Sequence, residues 1–155
     1  MIFAAFGTAK PFPRLLAHLD KLAQEIQEEI VVQTGTTPQT AKYCSMFDYA
    51  PSLKEYFSKA SLVIVHAGLG VQKELLYQEI PFVAVPRLAK YKEHYDDHQV
   101  ETCEILHKKY GVIYFTDLDK MDSSFIMNPP APYHFESTTL PEFQQNILQV
   151  LREKH

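Results

Sequence analysis

Two glycines and an acid follow an apolar run in the segment His66-Ala67-Gly68-Leu69-Gly70-Val71-Gln72-Lys73-Glu74. Gly68 and Gly70 would let the backbone approach a diphosphate closely, and the N-terminus of a following helix favours its negative charge. Glu74, one turn into that helix, could accept two hydrogen bonds from a ribose diol. NAD is disfavoured because its fingerprint needs glycine or alanine where Lys73 stands. A P-loop is absent because no GKS or GKT sequence follows the glycines. The alternative is an unliganded turn with Glu74 as a solvated acid.

Two other strand ends carry candidate binding residues. Gly7 and Thr8 follow the first apolar run, where a glycine allows a sharp turn and amides can face an anion. A tight turn without a ligand would have the same sequence. The segment 86–99 is dense in hydrogen-bonding side chains, including Asp97 and Gln99, at the passage from a strand into a helix. Since ligands of parallel sheets bind beyond the carboxyl ends of the strands, all three segments are candidates for one site.

A metal site has weaker support in the sequence. His94 and His98 are four residues apart and would share one face of a helix, which is how a zinc site can begin. The glutamate of a zinc protease is replaced by Tyr95, and no third ligand is evident. The acid pair of Asp117 and Asp119 is better explained as a helix N-cap after a strand. We therefore expect no metal.

Short apolar runs alternate with longer segments of helical period, which predicts a single doubly wound, Rossmann-like α/β domain around a parallel sheet. Strands are predicted at 2–6, 30–34, 62–65, 82–85 and 112–115, with a further short one near 44–47. An apolar stripe from Phe12 to Ile26 predicts the first helix, with Pro11 and Pro13 in its first turn. A second clear helix is predicted near 92–110, where a basic last turn precedes a left-handed stop at Gly111.

The composition changes after residue 121. Residues 122–139 contain three prolines and no apolar period, so they predict a surface crossing, and 141–152 predict a last helix. We assign 1–121 to the ligand-binding Rossmann-like domain and 122–155 to a crossing and strapping helix of the same domain. The stripe of that helix either contacts a partner protein or packs on its own sheet. Its members are Phe143, Ile147, Val150 and Leu151.

Composition excludes several classes of function. With 155 residues, 46% of them apolar, the chain suits one ordinary globular domain. Its net charge of −4 and lack of basic runs argue against nucleic-acid binding. The apolar run at 62–65 is far shorter than the roughly 20 residues of a membrane-spanning helix, and no secretory signal is expected. Cys44 and Cys103 form no CxxC pair, which favours reduced thiols in a cytoplasm.

Taken in order, these segments resemble the C-terminal domain of glycosyltransferase family 28, the donor-binding half of a GT-B enzyme. The resemblance covers about residues 1–115. It is most similar to the small subunit of two-part enzymes, either the bacterial exopolysaccharide and capsule type or the soluble subunit of the eukaryotic dolichol-linked GlcNAc transferase. It is carried by Phe6-Gly7-Thr8 with Phe12 and Arg14-Leu15-Leu16, by Val31-Val32-Gln33-Thr34-Gly35, by His66-Ala67-Gly68-Leu69-Gly70 with Glu74, and by Val85-Pro86-Arg87 with Glu93-His94 and Asp97-His98-Gln99.

The resemblance implies a site for a UDP-sugar donor in residues 1–121. Gly7 and Thr8 would lie near the phosphates, the turn that begins at Phe47 along the uracil, and Glu74 against the ribose hydroxyls. The diphosphate would be held by the backbone amides of the turn into the helix, which belong to Gly68, Leu69, Gly70 and Val71. Asp97 and Gln99 would contact the sugar hydroxyls, with His98 as a polar neighbour. His66 would stabilise the leaving group. One departure is Val71, where relatives usually have serine or threonine.

The resemblance also implies an activity and partners. The expected enzyme is an inverting, metal-independent hexosyltransferase without a cofactor, which transfers sugar to a lipid-linked saccharide in exopolysaccharide or capsule synthesis. A membrane-anchored subunit resembling the N-terminal half would supply the acceptor site and the general base, and would recruit this cytoplasmic chain to the inner face of the membrane. Two alternatives remain: a regulatory nucleotide-binding module without turnover, and a metal-dependent hydrolase using His94, Asp97 and His98.

Overall fold

A computed structural model describes residues 1–133 and contains one five-stranded parallel sheet. The strands lie in the order β3-β2-β1-β4-β5, and every neighbouring pair is parallel. Their bounds are β1 Ile2–Ala5, β2 Ile30–Gln33, β3 Ser45–Phe47, β4 Leu62–His66 and β5 Phe82–Val85. The order reverses between β1 and β4, so the crevice for a ligand lies beyond the carboxyl ends of these two strands. The predicted doubly wound α/β architecture is confirmed.

Helices cover both faces of the sheet, and β1, β2, β4 and β5 are therefore buried on both sides. Their bounds are α1 Pro13–Glu25, α2 Lys54–Lys59, α3 Leu69–Tyr77, α4 His98–Tyr110 and α5 Ser123–Met127, with 3₁₀ turns at Ala89–Tyr91 and Leu118–Lys120. Alternate residues of β1 point into two separate clusters, Ile2 into the one that contains α1 and α5, and Phe3 into the one that contains α2, α3 and α4. No helix within residues 1–133 is long and apolar enough to span a bilayer.

Helix α1 forms as its apolar spacing predicts. It begins at Pro13, whose missing N–H is not needed in a first turn. The preceding Phe12 is anchored by its own N–H, which donates to Thr37 Oγ1 at 2.9 Å. Leu15 and Leu19 are fully buried on the sheet, each contributing roughly 2 kcal/mol of hydrophobic stabilisation. The helix thereby fixes the loop of residues 6–12 at the carboxyl edge.

Two predicted elements differ in the structure. Helix α4 begins at His98 and not near residue 92, because the carboxylates of Glu93 and Asp97 accept hydrogen bonds from loop backbone and hold 92–97 in turns. The predicted strand at 112–115 is reduced to a single bridge between Ala84 and Tyr114. The stop of α4 is confirmed, since Gly111 has a φ of 76° and donates to a carbonyl of the last turn.

The start of the predicted surface crossing is also partly regular. Asp122 caps α5 by accepting from the Phe125 N–H at 2.8 Å, and Ile126 of that helix is fully buried. Tyr133 is buried, and its hydroxyl donates to the Phe82 carbonyl and accepts from the Ile113 N–H. The expectation of an irregular surface segment is therefore wrong for 123–127. The helix predicted at 141–152 lies outside the described residues.

Candidate functional site

A cavity of about 370 Å³ lies at the carboxyl ends of β1, β2 and β4. This is the crevice that the sheet order predicts, and the volume is within the range of small-ligand sites. Its lining combines glycine, amide, imidazole, ammonium and carboxylate groups with apolar side chains. The lining residues are Ala5, Gly7, Gln33, Ser52, Leu53, Lys54, Phe57, His66, Val71 and Glu74.

Gln33, at the end of β2, fixes the loop after β1. Its side chain is buried, and Oε1 accepts from the Gly7 N–H at 3.1 Å while Nε2 donates to the Gly7 carbonyl at 3.1 Å and the Asp48 carbonyl at 2.9 Å. The amide of Gly7 is therefore engaged inside the protein, contrary to the expectation that it faces an anion. Gly7 serves the site through its φ of +74° and the absence of a side chain, and the exposed Thr8 follows it.

The imidazole of His66 lies between two glycines. A Cβ at Gly68 would be 2.4 Å from its Cε1, and one at Gly7 would be 2.8 Å from its Nε2. Its Nδ1 accepts from the Gly68 N–H at 3.2 Å, so the ring proton is on Nε2. Burial lowers the pKa of His66 to about 4, and the positive charge of Arg87 acts in the same direction. At neutral pH the ring is a neutral hydrogen-bond donor beside the cavity.

The N-terminus of α3 presents open amides to the same edge. The first intrahelical bond runs from the Gln72 N–H to the Gly68 carbonyl at 3.3 Å, and Gly68 supplies no side-chain cap. Because the Gly68 N–H already binds His66, the amides that remain for an anion are those of Leu69, Gly70 and Val71. Glu74 follows one turn later and lines the cavity.

The loop between β5 and α4 is held by its own acids and amides. One oxygen of Asp97 accepts from the Ala89 N–H at 2.9 Å, and Oε1 of Gln99 accepts from the Arg87 N–H at 2.9 Å. His98 is exposed at the first position of α4. These three side chains lie at the same carboxyl edge as the cavity but outside its lining.

The structure does not form the arrangement of His94 and His98 that a zinc site would need. His94 precedes α4, so it does not share a helical face with His98, and its Nδ1 lies 3.1 Å from Asp96 Oδ1. Within residues 1–133 no three His, Cys, Asp or Glu side chains are grouped to hold a metal ion. Asp117 accepts from the Asp119 N–H at 3.0 Å, which confirms its interpretation as a cap.

The domain model "Glycosyltransferase family 28 C-terminal domain" matches residues 7–119, which is most of the chain and contains every residue of the cavity lining except Ala5. The chain belongs to glycosyltransferase family 28. The resemblance drawn from the sequence is thereby confirmed at the level of the family.

A curated relative agrees with the family assignment, and two solved structures share the fold. The chain is 33% identical over 109 residues to the UDP-N-acetylglucosamine transferase subunit ALG13 of Yarrowia lipolytica, which covers 70% of this chain and 52% of that protein. It thus spans about half the length of this curated relative. The NMR solution structure of ALG13 superposes with a TM-score of 0.60 at 17% identity, covering 96% of this chain and 94% of that one. Spinosyn forosaminyltransferase SpnP gives 0.53 at 15% identity, covering 97% and 38%.

Within this family 28 domain, the cavity brings together Gly7, His66, Val71 and Glu74 from the predicted site. Phe47 is placed differently from these four. Its ring stacks on Tyr56 and Phe3 at centroid distances of 4.9 and 6.2 Å, outside the cavity lining. Its backbone carbonyl accepts from the Thr34 N–H.

Sequence reasoning did not single out Gln33 or Lys54 as site residues, although both line the cavity. Gln33 ends a strand of otherwise apolar residues, and a glutamine at that position was the only local signal, which did not reveal its partners. Lys54 begins α2 and carried no local signal, because only the fold brings the 52–57 segment to the ends of β1 and β4.

Proposed function

We propose that this chain is the donor-binding subunit of an inverting UDP-sugar-dependent hexosyltransferase. The observation that carries the proposal is the cavity at the β1/β4 reversal, where a carboxylate, a neutral imidazole and the N-terminus of α3 meet. Family membership and the name of the Yarrowia relative, a UDP-N-acetylglucosamine transferase subunit, support a UDP-sugar as the ligand.

The groups around the cavity suit the parts of a nucleotide sugar. Glu74 would accept from the two ribose hydroxyls, and the amides of Leu69, Gly70 and Val71 would bind the diphosphate. The uracil base would lie toward Leu53 and Phe57, the apolar part of the lining. Because amides and a helix N-terminus supply the favourable potential, the diphosphate would need no metal ion.

In the reaction, an acceptor hydroxyl would attack the anomeric carbon as the bond from that carbon to the UDP oxygen breaks. The departing diphosphate gains negative charge, which the α3 amides and the Nε2–H of His66 would stabilise. The sugar would extend toward Asp97, His98 and Gln99. The proton of the acceptor hydroxyl would be taken by a base outside this chain.

A partner subunit would complete the enzyme. We infer a membrane-anchored chain that resembles the N-terminal half of a GT-B enzyme, presents a lipid-linked saccharide and recruits this chain to the inner face of the membrane. The support is that the matching family model describes a C-terminal domain, and that the Yarrowia relative is itself named a subunit. Exopolysaccharide or capsule synthesis is the context we propose for the acceptor.

Calorimetric titration with UDP, ADP and NAD in EDTA tests the donor site. We expect UDP to bind preferentially and Glu74→Gln to weaken it about tenfold, since the variant loses charge-assisted hydrogen bonds to the ribose. Glu25→Gln is the matched control, because that exposed acid ends α1 at the opposite edge of the sheet. Equal affinities for UDP and ADP, or no effect of Glu74→Gln, would contradict the proposal.

A further inference from the structure

Arg87 is a buried cation at the end of β5 that clamps the loop after β1. Its Nη2 donates to the Phe6 carbonyl at 2.9 Å and to the Lys10 carbonyl at 2.6 Å, and its guanidinium lies 4.8 Å from the ring centre of Phe12. The two carbonyls flank residues 7–9, so a single nitrogen holds both ends of this short segment. The side chain is only 3% exposed, which makes it an internal group of the domain.

The backbone of the same residue is tied to the loop that precedes α4. The Arg87 N–H donates to Gln99 Oε1, and the next N–H, that of Leu88, donates to Glu93 at 3.0 Å. Glu93 is itself paired with Arg14 of α1 at 2.8 Å. Arg87 therefore joins the phosphate-side loop, 7–9, to the sugar-side segment, 97–99.

Burying a guanidinium is costly unless its N–H groups are hydrogen-bonded, and here Nε has no hydrogen-bond partner within the described residues. A buried leucine or methionine would fill the same space without that cost. The two hydrogen bonds to carbonyls and the cation over the ring of Phe12 are what an apolar residue could not supply. This points to a function in fixing backbone geometry at the site.

We propose that Arg87 is a positioning residue, which holds the 7–9 loop and the 97–99 segment together as one preformed donor-binding edge. The identity of the ligand rests on the proposed function, whereas the effect of Arg87 on the 7–9 loop does not. Arg87 also acts on His66 by charge, since its cation lowers the pKa of that imidazole. The planar guanidinium and its charge therefore have separate consequences that substitutions can distinguish.

Arg87→Lys keeps the charge but loses the planar guanidinium, whose Nη2 bonds both carbonyls and whose face lies against Phe12, whereas Arg87→Met loses both. In both variants we expect the Gly7 amide, measured by hydrogen exchange with NMR detection, to exchange about tenfold faster and UDP affinity to fall about tenfold, as expected when backbone must be ordered on binding. The pKa of His66, followed by NMR titration, should rise in Arg87→Met and stay low in Arg87→Lys. A His66 pKa that stays low in Arg87→Lys shows that the charge is retained there, so faster Gly7 exchange in that variant is due to the lost guanidinium contacts.

Ile126→Val controls for general loss of stability, since it removes a core methyl from α5 on the face opposite α3. Unchanged Gly7 exchange in folded Arg87→Lys would overturn the proposal whether or not UDP binds. Faster exchange with wild-type UDP affinity would also overturn it. If the wild-type chain does not bind UDP while Gly7 exchange rises, the proposed function fails and the loop assignment stands.

A second variant keeps the test decisive if both Arg87 variants unfold. Gln99→Ala removes the acceptor of the Arg87 N–H at the half-buried start of α4 and leaves the buried guanidinium in place. We expect faster exchange of the Arg87 amide and weaker binding of UDP, which lacks the sugar that Gln99 itself would contact. Unchanged exchange and affinity in this variant would contradict the coupling between the two segments.

Discussion

Gly70 offers a sharp separation between a residue that the fold needs and one that a ligand needs. An added Cβ at Gly70 meets nothing within 4 Å, and its φ is not positive. A glycine in a helix costs about 0.5–1 kcal/mol relative to alanine. The folded chain alone therefore gives no reason for a glycine at this position, whereas a diphosphate on the first turn of α3 would.

Gly70→Ala should stabilise the domain by about 0.5 kcal/mol, which raises the Tm by roughly 2 °C for a chain of this size. UDP affinity should fall at least about tenfold, because the new methyl would occupy the space of the phosphate oxygens. Urea unfolding and calorimetry measure the two effects on the same sample.

Gly68→Ala is the matched comparison on the same turn. Its Cβ would lie 2.4 Å from His66 Cε1, so the ring must move and its bond with the Gly68 N–H is lost. This overpacking should cost about 1–3 kcal/mol of stability. If Gly70→Ala binds UDP as tightly as the wild type, the diphosphate does not lie on this turn and the reasoning is refuted.

Three further predictions use the same region. Gly35→Ala should destabilise the domain by more than about 3 kcal/mol in urea unfolding, since φ is +57° and its Cβ would be 2.0 Å from the Gly7 carbonyl oxygen. The folded pKa of His66, about 4, is below its ordinary value of 6.5, so as the pH falls the unfolded chain takes up a proton before the folded chain does. The free energy of unfolding should therefore fall by about 2 kcal/mol between pH 7.5 and 5, and His66→Gln should lose this component. Val71→Ser should raise UDP affinity a few-fold in calorimetry, because Val71 lines the cavity at the third open amide.

The strands were predictable because local sequence determines them. Each of β1, β2, β4 and β5 is a short apolar run buried on both faces, so four of the five predicted core segments agree with the structure to within a residue. The segment 92–97 was not predictable in this way. Its spacing is compatible with a helix, but Glu93 and Asp97 bond to backbone at 88–89, a competition that depends on the fold.

The site was predictable where its chemistry follows a strand directly. Gly7, His66 and Glu74 are found in the same cavity because parallel strands end at one edge. Arg87 and Gln33 could not be assigned from sequence, since the partners that define them lie 77 to 81 and 15 to 26 residues away. The engagement of the Gly7 and Gly68 amides inside the protein is likewise visible only in three dimensions.

The central claim is that a UDP-containing donor binds at the carboxyl ends of β1 and β4 without a metal. NMR titration of the ¹⁵N-labelled chain with UDP in EDTA tests it most directly. The largest shifts should fall on the amides of 7–10 and 68–71, and a separate groove lined by Arg14, His18, Tyr91 and Asp117 should be unaffected. Largest shifts in that groove, or shifts that appear only when magnesium is added, would contradict it.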